Sequence, residues 1–202
     1  MCGGLLIVFE GIDGTGKTTQ LHSLAAYLKE LGREVTITRE PTDGPYGKKL
    51  REHFSRRHQL DPDEELALFI NDRRQHVHEL IMPDLRRGRI ILTDRYYFSS
   101  AAYQGAAGGD PEAIFARHGF APEPHLVLLL VLSPEEAVQR IRVSRGDRLN
   151  DFEQLTQLRR VAELYQRFTH PCIHRLDASA PFDHVQAAIR QAVQPLLEGG
   201  PR

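Results

Sequence analysis

Glycine, lysine and threonine stand in the spacing G-x-x-x-x-G-K-T between Gly11 and Thr18. Glycine permits backbone conformations that turn successive N–H groups toward an anion, so a loop of this kind can hold phosphate oxygens. Lys17 would then reach the β and γ phosphates of a nucleoside triphosphate, and the Thr18 hydroxyl would ligate Mg²⁺. The residues predicted to contact the phosphates are Gly11, Ile12, Asp13, Gly14, Thr15, Gly16, Lys17, Thr18 and Thr19.

The elements that must position this loop are recognisable on both sides of it. The apolar run from Leu5 to Phe9 is too short for a full helix and predicts a strand, while a helical pattern begins at Lys17 and Gly32 ends it. A glycine turn before an ordinary helix is the alternative. We favour the phosphate loop because the strand, loop and helix signals agree in the register that it requires.

Strands alternate with helices along the rest of the chain. Short apolar runs predict further strands at 35–38, within 89–96, at 125–132 and at 172–176. Helical spacing predicts helices at 46–57, 63–87, 99–105, 133–143, 152–168 and 181–197. This alternation predicts an α/β fold with a five-stranded parallel sheet and helices on both faces. Together with the phosphate loop, it predicts a fold of the P-loop NTPase type.

Charged residues end two of the predicted strands, and open α/β sheets bind ligands at the carboxyl ends of their strands. Arg39 follows the strand at 35–38 and is placed for an anion; alternatively, it pairs with Glu40 on the surface. Asp94 stands where a P-loop protein directs a carboxylate toward Mg²⁺, or else it caps the following helix. Arg95 beside it could hold a phosphate in a bidentate fork.

A ring and a guanidinium share one face of the predicted helix at 63–87, because Phe69 and Arg73 are four residues apart. They could stack on a nucleobase and donate to its carbonyl edge. By spacing alone, a core phenylalanine and a solvated arginine remain the better interpretation. Tyr103 and Gln104, farther along, could face the same cleft or the solvent.

Four arginines surround a glycine between Arg140 and Arg148. A solvated helix end is the default interpretation of such a cluster. A short arginine-rich lid at about 143–151, closing over a triphosphate, requires the same composition.

Composition favours one ordinary domain spanning 1–202. The chain has 202 residues, 26% of them charged, and a formal net charge of −1, so it carries no global basic field for nucleic acid or an anionic membrane. Its two cysteines provide no disulfide framework, and no apolar run approaches the roughly 18 residues of a membrane span. We therefore expect a soluble, cytoplasmic protein with small-molecule partners and with neither nucleic acid nor membrane as a partner.

Taken together, the motifs resemble those of the thymidylate kinases, and the resemblance extends almost from end to end. The phosphate loop combined with Asp94-Arg95-Tyr96 and Ala102-Tyr103-Gln104 is far more specific than the loop alone. The resemblance implies transfer of the γ-phosphoryl group of ATP to dTMP, forming dTDP, with Mg²⁺ as cofactor and a homodimer formed through the helix at 63–87. Other matching residues are Thr38-Arg39-Glu40-Pro41, Phe69, Asp72-Arg73, Gln75-His76, Ser99-Ser100 and Asp177-Ala178-Ser179.

The resemblance also implies how the nucleoside of the acceptor is held. Asp13 would bind the 3′-hydroxyl of the sugar, and Tyr103 would crowd the position of a 2′-hydroxyl. Phe69 would stack on the base, Arg73 would donate to the thymine carbonyl, and Gln104 would help to hold the base.

On the same grounds, Arg39 and Arg95 would clamp the acceptor phosphate, with Ser99 in the same site. The chain departs from the family pattern Glu-Pro-Gly-Gly-Thr at 40–46, where Glu-Pro-Thr-Asp-Gly-Pro-Tyr adds an acid and an aromatic residue beside the acceptor site. The alternative functions are a kinase for another deoxynucleotide or small phosphorylated acceptor, and a P-loop switch that has no acceptor.

The family's catalytic arginine comes either from the phosphate loop or from the lid. Here the loop offers Gly14 and Thr15, so the resemblance assigns this role to the lid, with Arg145 as first choice and Arg148 as second. The residues predicted to be catalytic are Lys17, Arg95, Arg145, Arg148 and Asp13.

Overall fold

The computed structural model describes residues 3–54, 60–145 and 155–199. In this part of the chain, five parallel strands form one sheet in the order β2-β3-β1-β4-β5. The strands are β1 (Leu5–Glu10), β2 (Val35–Arg39), β3 (Ile90–Asp94), β4 (Leu126–Val131) and β5 (Ile173–Asp177). The predicted α/β fold with a five-stranded parallel sheet is confirmed.

One or more helices follow each of these strands in the chain. They are α1 (Lys17–Glu30), α2 (Pro45–His53), α3 (Pro62–His76), α4 (Met82–Arg86), α5 (Tyr97–Ala106), α6 (Pro111–Arg117), α7 (Pro134–Arg145), α8 (Leu155–Arg167) and α9 (Phe182–Gly199). A π-helical turn, Val77–Ile81, joins α3 to α4, so the predicted helix at 63–87 is not one uniform α-helix. Within the described residues, no helix combines the length and the apolar character needed to cross a membrane.

The phosphate loop follows the central strand β1, at the point where the order of the strands along the chain reverses. The wholly buried β1 lies between β3 and β4. Phe9 pairs with Asp94 of β3, and Asp94 pairs with Arg39 of β2. Because the strands are parallel, the loop after β1 and these two charged residues reach the same edge of the sheet. This switch point is where open α/β sheets bind ligands.

Between Gly109 and Pro122 the sequence has no apolar pattern that predicts a helix, but the structure has α6 there. The helix carries start signals, because Asp110 accepts a hydrogen bond from the Glu112 N–H at 3.1 Å and Pro111 is its first residue. With seven residues it is too short to show a full apolar periodicity.

Buried His118, which follows α6, should make the fold sensitive to acid. Its Nδ1 donates to the Ile114 carbonyl oxygen at 2.7 Å, and its Nε2 has no hydrogen-bond partner among the described residues. Burial lowers the pKa of His118 to about 4, whereas an unfolded histidine has a pKa of about 6.5. Between these values the unfolded chain binds a proton that the folded chain does not, so stability falls as the pH decreases.

Replacing His118 by phenylalanine should remove this sensitivity. Between about pH 7.5 and about pH 5, the free energy of unfolding of the wild type should fall by about 2 kcal/mol more than that of His118→Phe, as measured by urea unfolding. His184→Phe removes an exposed histidine and is the matched control, which should keep the wild-type pH dependence. Identical pH dependence in the wild type and His118→Phe would contradict the assignment.

Candidate active site

The phosphate loop requires glycine at three positions. Gly11, Gly14 and Gly16 have φ angles of 134°, 84° and 85°, in the region that favours glycine. A Cβ atom on Gly11 would lie 2.4 Å from the Leu130 carbonyl oxygen, and one on Gly14 would lie 2.5 Å from that of Ala137. Contacts with the backbone beside β4 and α7 therefore fix the shape of the loop.

Lys17 lies inside the loop at the first position of α1. Its Nζ donates hydrogen bonds to the carbonyl oxygens of Gly11 at 3.0 Å and Ile12 at 2.9 Å. The residue that precedes α1 makes no side-chain cap, so a bound phosphate would satisfy N–H groups of the first turn. Burial, reinforced by the charge of Arg95, lowers the pKa of Lys17 to about 8. At neutral pH the ammonium is still mostly charged, as phosphate binding requires.

Thr18 and Asp94 meet beside the loop, and together they fit a Mg²⁺ site. The Thr18 hydroxyl donates to Asp94 Oδ2, while Asp94 Oδ1 is buried without a hydrogen-bond partner in the described part of the chain. Mg²⁺ prefers oxygen ligands and is commonly held by one or two side chains together with substrate phosphates and water. The alternative, that Asp94 caps α5, is wrong. Tyr96 is the N-cap residue of α5, and the first N–H groups of this helix donate to Glu10 and not to Asp94.

Arg95 joins the end of β3 to the phosphate loop. Its Nη2 donates to Asp13 at 2.6 Å and to the Tyr103 hydroxyl at 3.1 Å, and that hydroxyl donates to Asp13 at 3.1 Å. Its φ angle of 75° is rare for a residue with a side chain, and such strain clusters at functional sites. Burial would raise the pKa of Asp13, but the charges of Arg95 and Lys17 outweigh it and lower the pKa below its usual value.

Glu10 is a buried residue beneath the site that the sequence analysis did not single out. Its Oε1 accepts from the N–H groups of Tyr96 at 2.9 Å and Ser99 at 3.1 Å, so it caps α5. Its Oε2 accepts from the hydroxyls of Ser99 at 2.6 Å and Tyr165 at 2.7 Å. Burial raises the pKa of Glu10. A carboxylate closing an otherwise apolar strand was the available signal.

Ser99 therefore belongs to the network that supports Arg95. Its hydroxyl accepts from Arg95 Nη1 at 2.9 Å and donates to Glu10. The predicted contact of Ser99 with a substrate stays a prediction.

Glu40 holds Arg73 in the interior. Arg73 donates to Glu40 Oε2 through Nε at 2.8 Å and through Nη2 at 2.5 Å, and its side chain is only 1% exposed. The other carboxylate oxygen of Glu40 lies 2.9 Å from His76 Nδ1. The interpretation of Arg73 as solvated is therefore wrong. The pairing of Arg39 with Glu40 is wrong as well, because Arg39 lies 2.9 Å from Asp43 instead.

Helices α3 and α5 align the residues predicted to bind a base. Arg73 donates to Ser100 at 3.2 Å, and Gln104 donates to Glu65 at 3.4 Å. Phe69 is four residues from both Glu65 and Arg73, so it lies between these two bridges, and it is half-buried. Gln104 Oε1 is buried and makes no hydrogen bond within the described residues.

A cleft of about 910 Å³ connects the loop with both strand ends. The predicted residues that line it are Asp13, Gly14, Gly16, Lys17, Thr18, Thr19, Arg39, Asp94 and Arg95. Arg140 of α7 lines it too, although no role was predicted for that residue alone. Thr15 is buried and donates to the Ile12 carbonyl at 2.9 Å.

The remaining predicted residues lie beside the cleft or beyond the described chain. Arg73 adjoins the cleft through Glu40, and Tyr103 adjoins it through Asp13 and Arg95. The side chain of Arg145, at the end of α7, and the whole of Arg148 lie outside the described residues. So does the part of the predicted lid at about 143–151 that follows residue 145.

Comparison with known proteins identifies relatives along nearly the whole chain. A family model described as "Thymidylate kinase" matches residues 9–189. The "Thymidylate kinase" of Desulfotalea psychrophila is 46% identical over 195 residues, which cover 96% of each chain. The "Thymidylate kinase" of Xanthomonas campestris pv. campestris strain B100 is 46% identical over 190 residues, 94% of this chain and 82% of the relative. That of Xanthomonas euvesicatoria pv. vesicatoria is 45% identical with the same coverage.

Proposed function

Since this chain belongs to the thymidylate kinase family, we propose that it transfers the γ-phosphoryl group of ATP to dTMP, forming dTDP. The observation that carries the proposal is the shared cleft. Lys17 and Thr18 line it from the phosphate loop, while Arg39 and Arg95 line it from the ends of two neighbouring strands. Two sets of anion-binding groups facing one cleft suit a donor triphosphate and an acceptor phosphate. A nucleotide-binding switch would need only the first set.

The reaction needs positioning and charge neutralisation rather than a general base, because the acceptor phosphate is already an anion. One of its oxygens attacks the γ-phosphorus, and the bond from that phosphorus to the β–γ bridging oxygen breaks, which leaves ADP and dTDP. Lys17 neutralises the β and γ phosphates, while Arg39 and Arg95 align the acceptor. Thr18 and Asp94 would hold Mg²⁺, whose charge offsets that of the same phosphates.

The nucleoside of the acceptor is assigned to the region between α3 and α5. Phe69 stacks on the base, and Arg73 and Gln104 hydrogen-bond it. Asp13 holds the 3′-hydroxyl and Tyr103 crowds the 2′ position. Support comes from the unused Oε1 of Gln104 and from the position of Phe69 between the two bridges that join these helices.

The proposal also includes the features that rest on sequence alone. They are a single domain spanning 1–202, a lid at about 143–151 that carries Arg145 and Arg148, a homodimer formed through the helical segment at 63–87, and a cytoplasmic location. Lid closure would exclude water, which would otherwise hydrolyse ATP.

The test is to mix the protein with ATP, Mg²⁺ and each nucleoside monophosphate in turn and to follow ADP release together with the phosphorylated product. We expect dTMP to be the best acceptor and dTDP to appear in equal amount to ADP. If another monophosphate is preferred, the protein is the alternative kinase. The unusual loop at 40–46, beside the acceptor site, is the reason to test this alternative. ADP release without any phosphorylated acceptor would establish a switch or ATPase.

Replacing Phe69 by alanine should weaken dTMP binding by at least about fivefold, because stacking of a base on an aromatic ring contributes about 1–3 kcal/mol. Affinity for ATP should not change. Calorimetric titration with each nucleotide measures both. Phe182→Ala removes a phenylalanine that is 45% exposed at the start of α9 and is the matched control.

Equal losses for dTMP and ATP would return Phe69 to a purely structural role. Arg73→Ala is a less direct test of the base site, because it would leave the buried carboxylate of Glu40 without its main partner and so weaken the fold.

A further inference from the structure

The loop after β2 carries Asp43 on the wall of the cleft, in the segment that departs from the family pattern. The loop is held firmly in place. Asp72 accepts hydrogen bonds from the Thr42 N–H at 2.8 Å and from the Thr42 hydroxyl at 2.6 Å. A Cβ atom on Gly47 would lie 2.0 Å from the Thr42 carbonyl oxygen, so α2 packs directly against the loop.

One oxygen of Asp43 serves two arginines. Asp43 Oδ1 accepts from Arg39 Nη2 at 2.9 Å and from Arg51 Nη2 at 2.9 Å. Arg51 is anchored independently, because its Nη1 donates to the carbonyl oxygens of Pro41 at 2.9 Å and Thr42 at 2.6 Å. The side chain of Arg39 is 61% exposed and that of Arg51 only 32%. Of the two arginines, Arg39 is the one free to move.

We propose that Asp43 is an internal anion that holds the Arg39 guanidinium until the acceptor phosphate displaces it. This inference rests on the proposed function, in which Arg39 binds that phosphate. When Arg39 leaves, Asp43 stays paired with Arg51, so the exchange does not leave the Asp43 carboxylate without an ion-pair partner. The acceptor therefore binds in competition with Asp43, and Asp43 recaptures Arg39 when the product leaves.

The strength of the contact fits a reversible exchange. Exposed ion pairs are weak and are screened by salt, so Asp43 can lower the affinity for the acceptor without blocking the site. A carboxylate that merely oriented Arg39 for the phosphate would have the opposite effect, because its removal would weaken binding.

The experiment compares Asp43→Asn with the wild type. The KM for dTMP and its Kd from calorimetry should fall about two- to fivefold at low ionic strength, with the KM for ATP unchanged. At about 0.5 M KCl, the ratio of the wild-type KM for dTMP to that of Asp43→Asn should approach one, and so should the ratio of the two Kd values. Glu64→Gln, which removes an exposed acid from α3, controls for a change in net charge and should behave like the wild type. Asp43→Ser provides a second variant without the carboxylate.

A double-mutant cycle with Arg39→Met separates exchange from general repulsion. In the Arg39→Met background, Asp43→Asn should change the dTMP affinity by much less than it does in the wild type. An unchanged or raised KM in both Asp43 variants, or the same decrease with and without Arg39, would overturn the proposal. If the wild type phosphorylates no dTMP at all, the proposed function fails; if it does and the cycle shows no coupling, only the inference fails.

Discussion

Replacing Lys17 by alanine should lower phosphoryl transfer by at least about a thousandfold, or about 4 kcal/mol of barrier. The ammonium lies within the curve of the phosphate loop, bonded to the carbonyl oxygens of Gly11 and Ile12. When a triphosphate binds, the ammonium would exchange these carbonyl contacts for contacts with the β and γ phosphates. It would then offset their charge as the phosphoryl group moves. Steady-state kinetics with ATP and dTMP give the effect on kcat and on each KM.

Lys29→Ala is the matched control, because it removes an exposed lysine from the last turn of the same helix. It should keep wild-type kinetics. The circular dichroism spectrum of Lys17→Ala should match that of the wild type, since the glycine geometry and the contacts of the loop with β4 and α7 do not involve the lysine. Transfer within tenfold of the wild type would contradict the assignment of the phosphate loop.

The double substitution Arg145→Ala/Arg148→Ala should lower kcat by at least about a hundredfold, or about 2.7 kcal/mol, with a small change in the KM for ATP. The phosphate loop has Gly14 and Thr15 where a basic side chain would otherwise stand. Charge on the moving phosphoryl group develops during transfer, so an arginine that closes over it acts on the transition state more than on bound ATP. Steady-state and single-turnover kinetics separate the chemical step from nucleotide binding.

The fold is consistent with this source of charge, because α7, which leads toward the segment proposed as a lid, packs against the phosphate loop. Gly14 lies against the backbone of Ala137, and Arg140 of the same helix lines the cleft. Arg160→Ala/Arg167→Ala removes two exposed arginines from α8 and controls for the loss of positive charge. A kcat of the lid variant within a few-fold of the wild type would refute the lid assignment and make Arg140, Arg142 and Arg95 the next candidates.

The sequence by itself determined the phosphate loop, the alternation of strands and helices, and the presence of an acid and two arginines at strand ends. These features depend on properties that act over a few residues, such as the φ freedom of glycine and the period of a helix. Parallel strands then bring their carboxyl ends together, so Lys17, Asp94 and Arg39 could be expected in one cleft before any contact was known. The helix α6 was not predicted, because its seven residues are too few for a helical period to be recognised.

Only the tertiary structure decided which charges pair and which side chains are buried. Glu40 stands next to Arg39 in the sequence, yet it binds Arg73, and Arg39 turns to Asp43 instead. Glu10 caps α5 by accepting a hydrogen bond from the N–H group of Tyr96, which is 86 residues away in the sequence. A buried charge must find its partner among the groups that packing places around it. Here the register of β1, β2 and β3 and the packing of α3 on α5 place those groups, and no local spacing in the sequence specifies pairings over such separations.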